Sequence, residues 1–298
     1  MGLRLDAAVI RSIAPPLIML SRPLNCLGVG ILALASSLLE MGRSSHPTSV
    51  PLTVAGSMLV AAGGYALNDV FDHATDRLAH PDRALPAGLI ARPAARTYAL
   101  TLLVTAPILF LPINKAALAS ASVAAMLLFL YSWKVKRSSG LLGNLVIATL
   151  AANNAMIGGF AQDNLLATVP WSACIFMATL SREIVKDVED LTGDSTTRVG
   201  SLPMLIGASS SCRVAGLLLL LAVPVTYLSR YPGPFAPFYV VGASLINILV
   251  LWTATRLTLG TPAIAGRVQR WTKAAMYLYI FLFLLIGLSR GIDLGGWL

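Results

Sequence analysis

Charged side chains are scarce in this chain. They make up 12% of its 298 residues, against 56% hydrophobic ones, where a soluble domain carries about a quarter charged. That shortage excludes an ordinary water-exposed domain and a disordered chain. Cysteine is scarce too. Cys26, Cys174 and Cys212 stand far apart in apolar runs, which excludes a disulfide framework and a thiolate metal site, so they read as small buried hydrophobes. The three histidines, His46, His73 and His80, read as loop residues and not as ligands. Acid is rarer than base, 13 carboxylates against 22 Lys and Arg, giving a formal charge of +9. In so apolar a chain that excess points to a membrane and not to nucleic acid.

What the chain does have is apolar length, with a mean hydropathy of +0.76. Runs recur at about 17–39, 52–72, 97–113, 116–133, 141–161, 168–189, 205–229, 235–257 and 272–290, each near the ~20 residues a bilayer core requires. The reading is an all-α integral membrane protein of about nine spans, one domain over residues 1–298, with no soluble domain or linker. The first run lacks a small-residue cleavage site and is followed by further spans, so it is not read as a signal peptide. With the N-terminus inside and nine spans alternating, only Arg43, Lys115, Arg230 and Arg290 fall outside and the other 18 cations fall inside. The positive-inside rule then makes the N-terminus and the loops at about 73–96 and 190–204 cytoplasmic and the C-terminus external, in a multi-pass protein of the cell membrane.

Nine of the 13 carboxylates sit in two short windows, Asp69, Asp72, Asp76 and Asp82 in one and Glu183, Asp187, Glu189, Asp190 and Asp194 in the other. Asp6, Glu40, Asp163 and Asp293 read as loop or chain-end residues. Both windows lie where an apolar span meets the cytoplasmic side. Like charges clustered at the edge of a membrane helix are costly unless they face a cavity and a cation. Asp69, Asp72 and Asp76 are spaced i, i+3, i+7, and Asp187, Asp190 and Asp194 repeat that spacing, so each set lies along one helix face. Asn68, Asp72 and Asp76 form an overlapping stripe at i, i+4, i+8. Two such stripes facing each other make an oxygen-rich pocket, and hard oxygen donors without His or Cys select Mg²⁺, an ion that shares its shell with substrate phosphates. A solvated polar loop entering each helix is the plain alternative. It explains one cluster better than two of matching spacing.

After the stripes come Arg83-Ala-Leu-Pro and Arg198-Val-Gly-Ser-Leu-Pro203, a hint of internal duplication of a helix, stripe and loop unit. Cations lie close to the acid: Arg22 before the first span, Arg77 and Arg83 after the first stripe, Lys134 and Lys136 after the fourth span, and Arg182 and Lys186 within the second window. Arg22, Arg83, Lys134 and Lys186 are the candidates for a diphosphate. Lys136, Arg137 and the basic cluster at 256–273 read equally well as interfacial anchors, as does Tyr131.

These residues resemble the UbiA superfamily of intramembrane prenyltransferases. Asn68-Asp-Val-Phe-Asp72-His-Ala-Thr-Asp76 resembles its first signature, Asp187-Val-Glu-Asp190-Leu-Thr-Gly-Asp194 its second, and Pro81-Asp-Arg83-Ala-Leu-Pro-Ala-Gly88 its intervening loop, with Asp82 where the family often has Asn. Tyr131-Ser-Trp-Lys134 also has a counterpart. Arg22-Pro-Leu-Asn25-Cys26 and Arg182-Glu-Ile-Val-Lys186-Asp187 are similar to the archaeal ether-lipid branch. The resemblance implies nine helices around a central cavity, under a cytoplasmic cap of loops and short helices and with a lateral opening to lipid. It implies Mg²⁺ held by Asn68, Asp72, Asp76, Asp187, Asp190 and Asp194, with Asp72, Asp76, Asp190, Asp194 and Tyr131 serving the chemistry and Arg22, Asn25, Arg83, Lys134 and Lys186 holding phosphate. The expected reaction moves a geranylgeranyl group from an allylic diphosphate to geranylgeranylglyceryl phosphate. The runner-up is an aromatic acceptor of the 4-hydroxybenzoate type. A transporter of cations or metabolites is the reading from another class, since intramembrane acids also mark ion paths, but no acid is expected near mid-membrane, where transporters place their polar groups.

Overall fold

The computed structural model describes residues 15–41, 48–192, 200–229, 236–259 and 262–293, and no strand occurs among them. Helix α1, over residues 15–21, stops at Arg22, whose backbone is left-handed at φ 48°. Pro23 restarts the chain as α2, Pro23–Glu40; its fixed φ suits a first helical position where no N–H is needed. Then follow α3 (Ser49–Ala79), α4 (Arg92–Thr105) with a 3₁₀ extension to Phe110, and α5 (Lys115–Leu130). A π-helical turn, Tyr131–Val135, leads to the short α6 (Lys136–Ser138) and to α7 (Gly140–Ala161). The rest is α8 (Thr168–Thr192), α9 (Leu202–Ile206), α10 (Ala208–Thr226), α11 (Ala236–Thr258) and α12 (Ala265–Asp293). Polar caps fix several starts: Asn114 accepts from the Ala117 amide at 2.8 Å at the head of α5, and Ser139 from the Leu142 amide at 3.3 Å at the head of α7.

Eight helices among the described residues are long and apolar enough to cross a membrane. The sequence reading expects about nine. The difference is α8, 25 residues long, whose closing stretch carries Arg182, Glu183, Lys186, Asp187, Glu189 and Asp190 and so dilutes its hydropathy. The 73–96 loop is also shorter than expected. Helix α3 runs on to Ala79 and α4 begins at Arg92, so His73 is helical, one turn beyond Asp69, and only residues 80–91 form a loop. That loop folds back, burying Ala84, Leu85 and Ile90 against Val70, Ala95 and Ala99.

The helices form a ring in which α12 returns to pack on α2. Helices α2 and α7 also pack against each other, as do α8 and α12, so the ring is divided by a wall. Gly158 of α7 makes the closest approach in that wall: a Cβ there would come within 2.1 Å of the Ser37 nitrogen of α2, and the Gly158 amide donates to Ser36 Oγ at 3.1 Å. Small residues let membrane helices approach backbone to backbone in this way. Glu40, expected in a loop, is 2% exposed. Its Oε1 accepts from the amides of Ala167 and Thr168, both at 2.7 Å, and from Thr168 Oγ1 at 3.0 Å. The carboxylate ending α2 thus caps the start of α8, where free amides and the helix dipole favour a negative charge. Trp171 and Phe283, with ring centroids 4.1 Å apart, hold α8 to α12 nearby.

Candidate active site

A cavity of about 620 Å³ opens between α2, α3, α5, α7, α8 and α12. Asn68 on α3 and Arg182, Glu183 and Lys186 on α8 all line it. The two acidic helices do not pack directly; α7 and α2 stand between them and the cavity separates them. Asp72 follows Asn68 by four residues and Asp190 follows Lys186 by four, so each aspartate extends a cavity-facing stripe by one turn.

Every carboxylate of the first stripe meets a cation. Arg22 pairs with Asp69, and Lys136 with Asp72. Arg83 lies 2.7 Å from Asp76 and 3.9 Å from Asp69. The left-handed backbone at Arg22 turns its guanidinium back toward α3, where it also sits 5.5 Å from the centre of the Tyr65 ring. On α8, Asp187 is 3% exposed and accepts from Asn144 Nδ2 of α7 at 2.7 Å; Asp190 is half-buried. Arg182 donates to Glu183 at 2.6 Å. Asn25 lies at the exposed rim of the cavity and Tyr131 in its buried wall. Asp194 lies outside the described residues.

One expected cation stands elsewhere. Lys134 is exposed and does not line the cavity, while Lys136 does. α-Helical spacing would put Lys134 on the face of Tyr131. The turn from Tyr131 to Val135 is π-helical, and its extra residue per turn advances the frame, bringing Lys136 inward with Tyr131 and Ser132. Ser132 Oγ is buried there with no partner among the described residues. The sequence reading counted Glu183 in the second acidic window but gave it no role in the site, and passed over Asn153 and Asn154, two amides in the middle of the apolar α7 that line the inner part of the cavity. The signal for them was present: polar residues inside a span face a cavity.

Could this donor set hold Mg²⁺? Among the described residues no three of His, Cys, Asp or Glu are grouped to enclose an ion. Mg²⁺ asks for less, one or two carboxylates plus phosphate oxygens and water. The Asn68 and Asp72 side-chain oxygens already converge on one positive centre, the Lys136 ammonium, with Asn68 Oδ1 3.1 Å from Nζ. Hard oxygens focused on a cation at the edge of a cavity fit the ion.

Residues 29–273 match the UbiA prenyltransferase family. The digeranylgeranylglyceryl phosphate synthase of Methanothrix thermoacetophila is 32% identical over 269 residues, 90% of this chain and 98% of that protein. The Thermococcus kodakarensis synthase of the same name is 31% identical over 276 residues, 91% and 97% of the two chains. A solved structure of a digeranylgeranylglyceryl phosphate synthase superposes with a TM-score of 0.81 at 28% identity, covering 93% of this chain and 99% of that one. A UbiA homologue from Archaeoglobus fulgidus, bound to GPP and Mg²⁺, shares the fold at a TM-score of 0.66 and 15% identity over 92% and 98% of the chains. With the signature helices, the cavity and these matches in agreement, the chain belongs to the UbiA prenyltransferase family, a family of multi-pass membrane enzymes.

Proposed function

We propose that this protein transfers a geranylgeranyl group from geranylgeranyl diphosphate to the free hydroxyl of geranylgeranylglyceryl phosphate, forming an ether lipid and releasing diphosphate. The observation that carries the reading is the joining of Asn68, Arg22, Lys136, Arg182 and Lys186 around one end of a single membrane cavity in a chain about a third identical to synthases of that name. The Mg²⁺ and allylic diphosphate named for the A. fulgidus homologue are the ligand chemistry this end suits.

The apolar arm of the cavity, with Val60, Ala61, Leu128 and Ile157, takes the hydrocarbon of the donor. Arg22, Lys136 and Lys186 hold the diphosphate, with Arg83 added from the loop over α3. Asn68, Asp72 and Asp76 on α3 and Asp187 and Asp190 on α8, with Asp194 four residues on in the sequence, are the residues that would hold Mg²⁺, which would add positive charge where the leaving group gains negative charge. As the bond between C1 and the diphosphate oxygen breaks, its electron pair leaves with the diphosphate, and the basic residues stabilise it. Tyr131 and the apolar walls shield the allylic carbon from water. The acceptor hydroxyl oxygen bonds to C1, and its proton passes to Glu183, the carboxylate among the described cavity-lining residues. The end that carries Arg22 and the 80–91 loop faces the cytoplasm, by the placement of Lys and Arg.

The test is purified protein in detergent with radiolabelled geranylgeranyl diphosphate, offered geranylgeranylglyceryl phosphate or 4-hydroxybenzoate. The labelled diether phosphate is expected. Faster turnover of the aromatic acid would overturn the acceptor assignment, and transfer without a sealed membrane excludes a purely transporting role.

A further inference from the structure

A second chamber of about 100 Å³ lies behind the wall, enclosed by α8, α10, α11 and α12. Leu32 of α2, Ala151 of α7 and Ile280 of α12 line both spaces, so three side chains separate it from the catalytic cavity. It follows α12 from Thr272 to Phe283, about 16 Å of helix. Its polar side chains are turned away from it. Ser229, Thr253 and Thr272 donate to the carbonyls of Ala167, Val250 and Val268 at 3.1, 2.7 and 3.0 Å. Tyr279 donates to Asn247 Oδ1 at 2.7 Å, and Asn247 Nδ2 to Thr226 Oγ1 at 3.1 Å. Only the buried indole N–H of Trp171 lacks a partner among these described groups. With its other hydrogen bonds satisfied inside the protein, such a lining offers hydrocarbon to whatever occupies it.

We propose that this chamber, about a sixth the volume of the catalytic cavity, seats the far end of the lipid acceptor's hydrocarbon chain while the donor chain lies in the catalytic cavity along α3. The assignment rests on the ether-lipid reading above, in which two long chains must be held at once with one polar end each near Asn68 and Lys186. The catalytic cavity has one elongated apolar arm, running from Asn68 to Ser57, eleven residues or about 16 Å of α3. The chamber behind Leu32, Ala151 and Ile280 is the second such space in contact with it. An acceptor entering between α2 and α12, past Leu24 and Tyr277 on the exposed rim, reaches the chamber along the Ile280 side of α12.

Filling the chamber tests this. In Ala178→Leu and Ala222→Leu the KM for geranylgeranylglyceryl phosphate should rise about tenfold, the loss of one to two buried methylene contacts. The KM for the donor, and for an acceptor carrying a geranyl chain, should stay at the wild-type value. A rise in donor KM alone, an equal rise for both acceptors, or no change would overturn the proposal. The wild-type protein supplies a reading independent of folding: an acceptor analogue with a diazirine at its chain terminus should crosslink to peptides of α10 or α11, and labelling confined to α3, α5 or α7 would overturn it. If the wild-type protein turns over neither glyceryl phosphate acceptor, the ether-lipid reading itself has failed, and the crosslink still reports whether an alkyl chain enters the chamber.

Discussion

At the residue scale the informative contrast is between Lys134 and Lys136. Lys136→Ala removes the cation at the focus of Asn68 and Asp72 and should lower kcat/KM by about 100-fold or more, while Lys134→Ala should leave it near wild type; steady-state rates of the paired variants check this. Asp72→Ala and Asp190→Ala should each abolish transfer with the protein still monodisperse in detergent, and full activity in either, or in the presence of a chelator, would refute the metal assignment. Glu183→Gln keeps the shape of the side chain but cannot take a proton, so kcat should fall by about 100-fold with donor affinity retained. The acidic stripes were legible in the sequence because a carboxylate in an apolar run needs a reason. The choice between Lys134 and Lys136 was not, since it depends on a π turn that local spacing does not announce. Asn153 and Asn154 were legible and passed over.

At the scale of elements, two contacts position α8, the helix that carries the second stripe. Glu40 caps its first turn and Asn144 of α7 holds Asp187 near its last. Glu40→Ala leaves the buried Ala167 and Thr168 amides without an acceptor and should cost about 1–3 kcal/mol. Gly158→Ala forces α7 off α2 and should cost a similar amount, about 1–3 kcal/mol. Lower midpoints of thermal unfolding in detergent check both. Span positions followed from the sequence because apolar length is read directly. Helix ends did so less well: α3 extends through His73 to Ala79 because its polar last turns are held by Arg22, Arg83 and Lys136, contacts distant in the chain. Glu40 looked like a loop acid for the same reason, since its partners lie more than a hundred residues on.

At the scale of the whole molecule, the ring of helices puts the charges at one end and hydrocarbon space through the interior. The topology proposed from the placement of Lys and Arg directs the charged end inward. In a cysteine-free background, Leu89→Cys in the 80–91 loop should resist an impermeant maleimide in intact cells, and Leu228→Cys just after α10 should react; the reverse pattern would invert the topology. Membrane class and the helical placement of Asp69, Asp72 and Asp76 were open to inspection from composition and spacing alone. The dividing wall of α2 and α7 was not, because helix adjacency is set by small residues such as Gly158 whose partners no local pattern names.

The ammonium of Lys136 already stands where the Asn68 and Asp72 oxygens point. Under the proposed metal assignment, a divalent ion taking those oxygens would displace a resident monovalent one, and the carboxylate would not be left facing hydrocarbon unneutralised. The evicted side chain would be long enough to swing onto the phosphate arriving with the ion, so that loading would be a trade between counterions and would favour metal and diphosphate arriving together over metal alone.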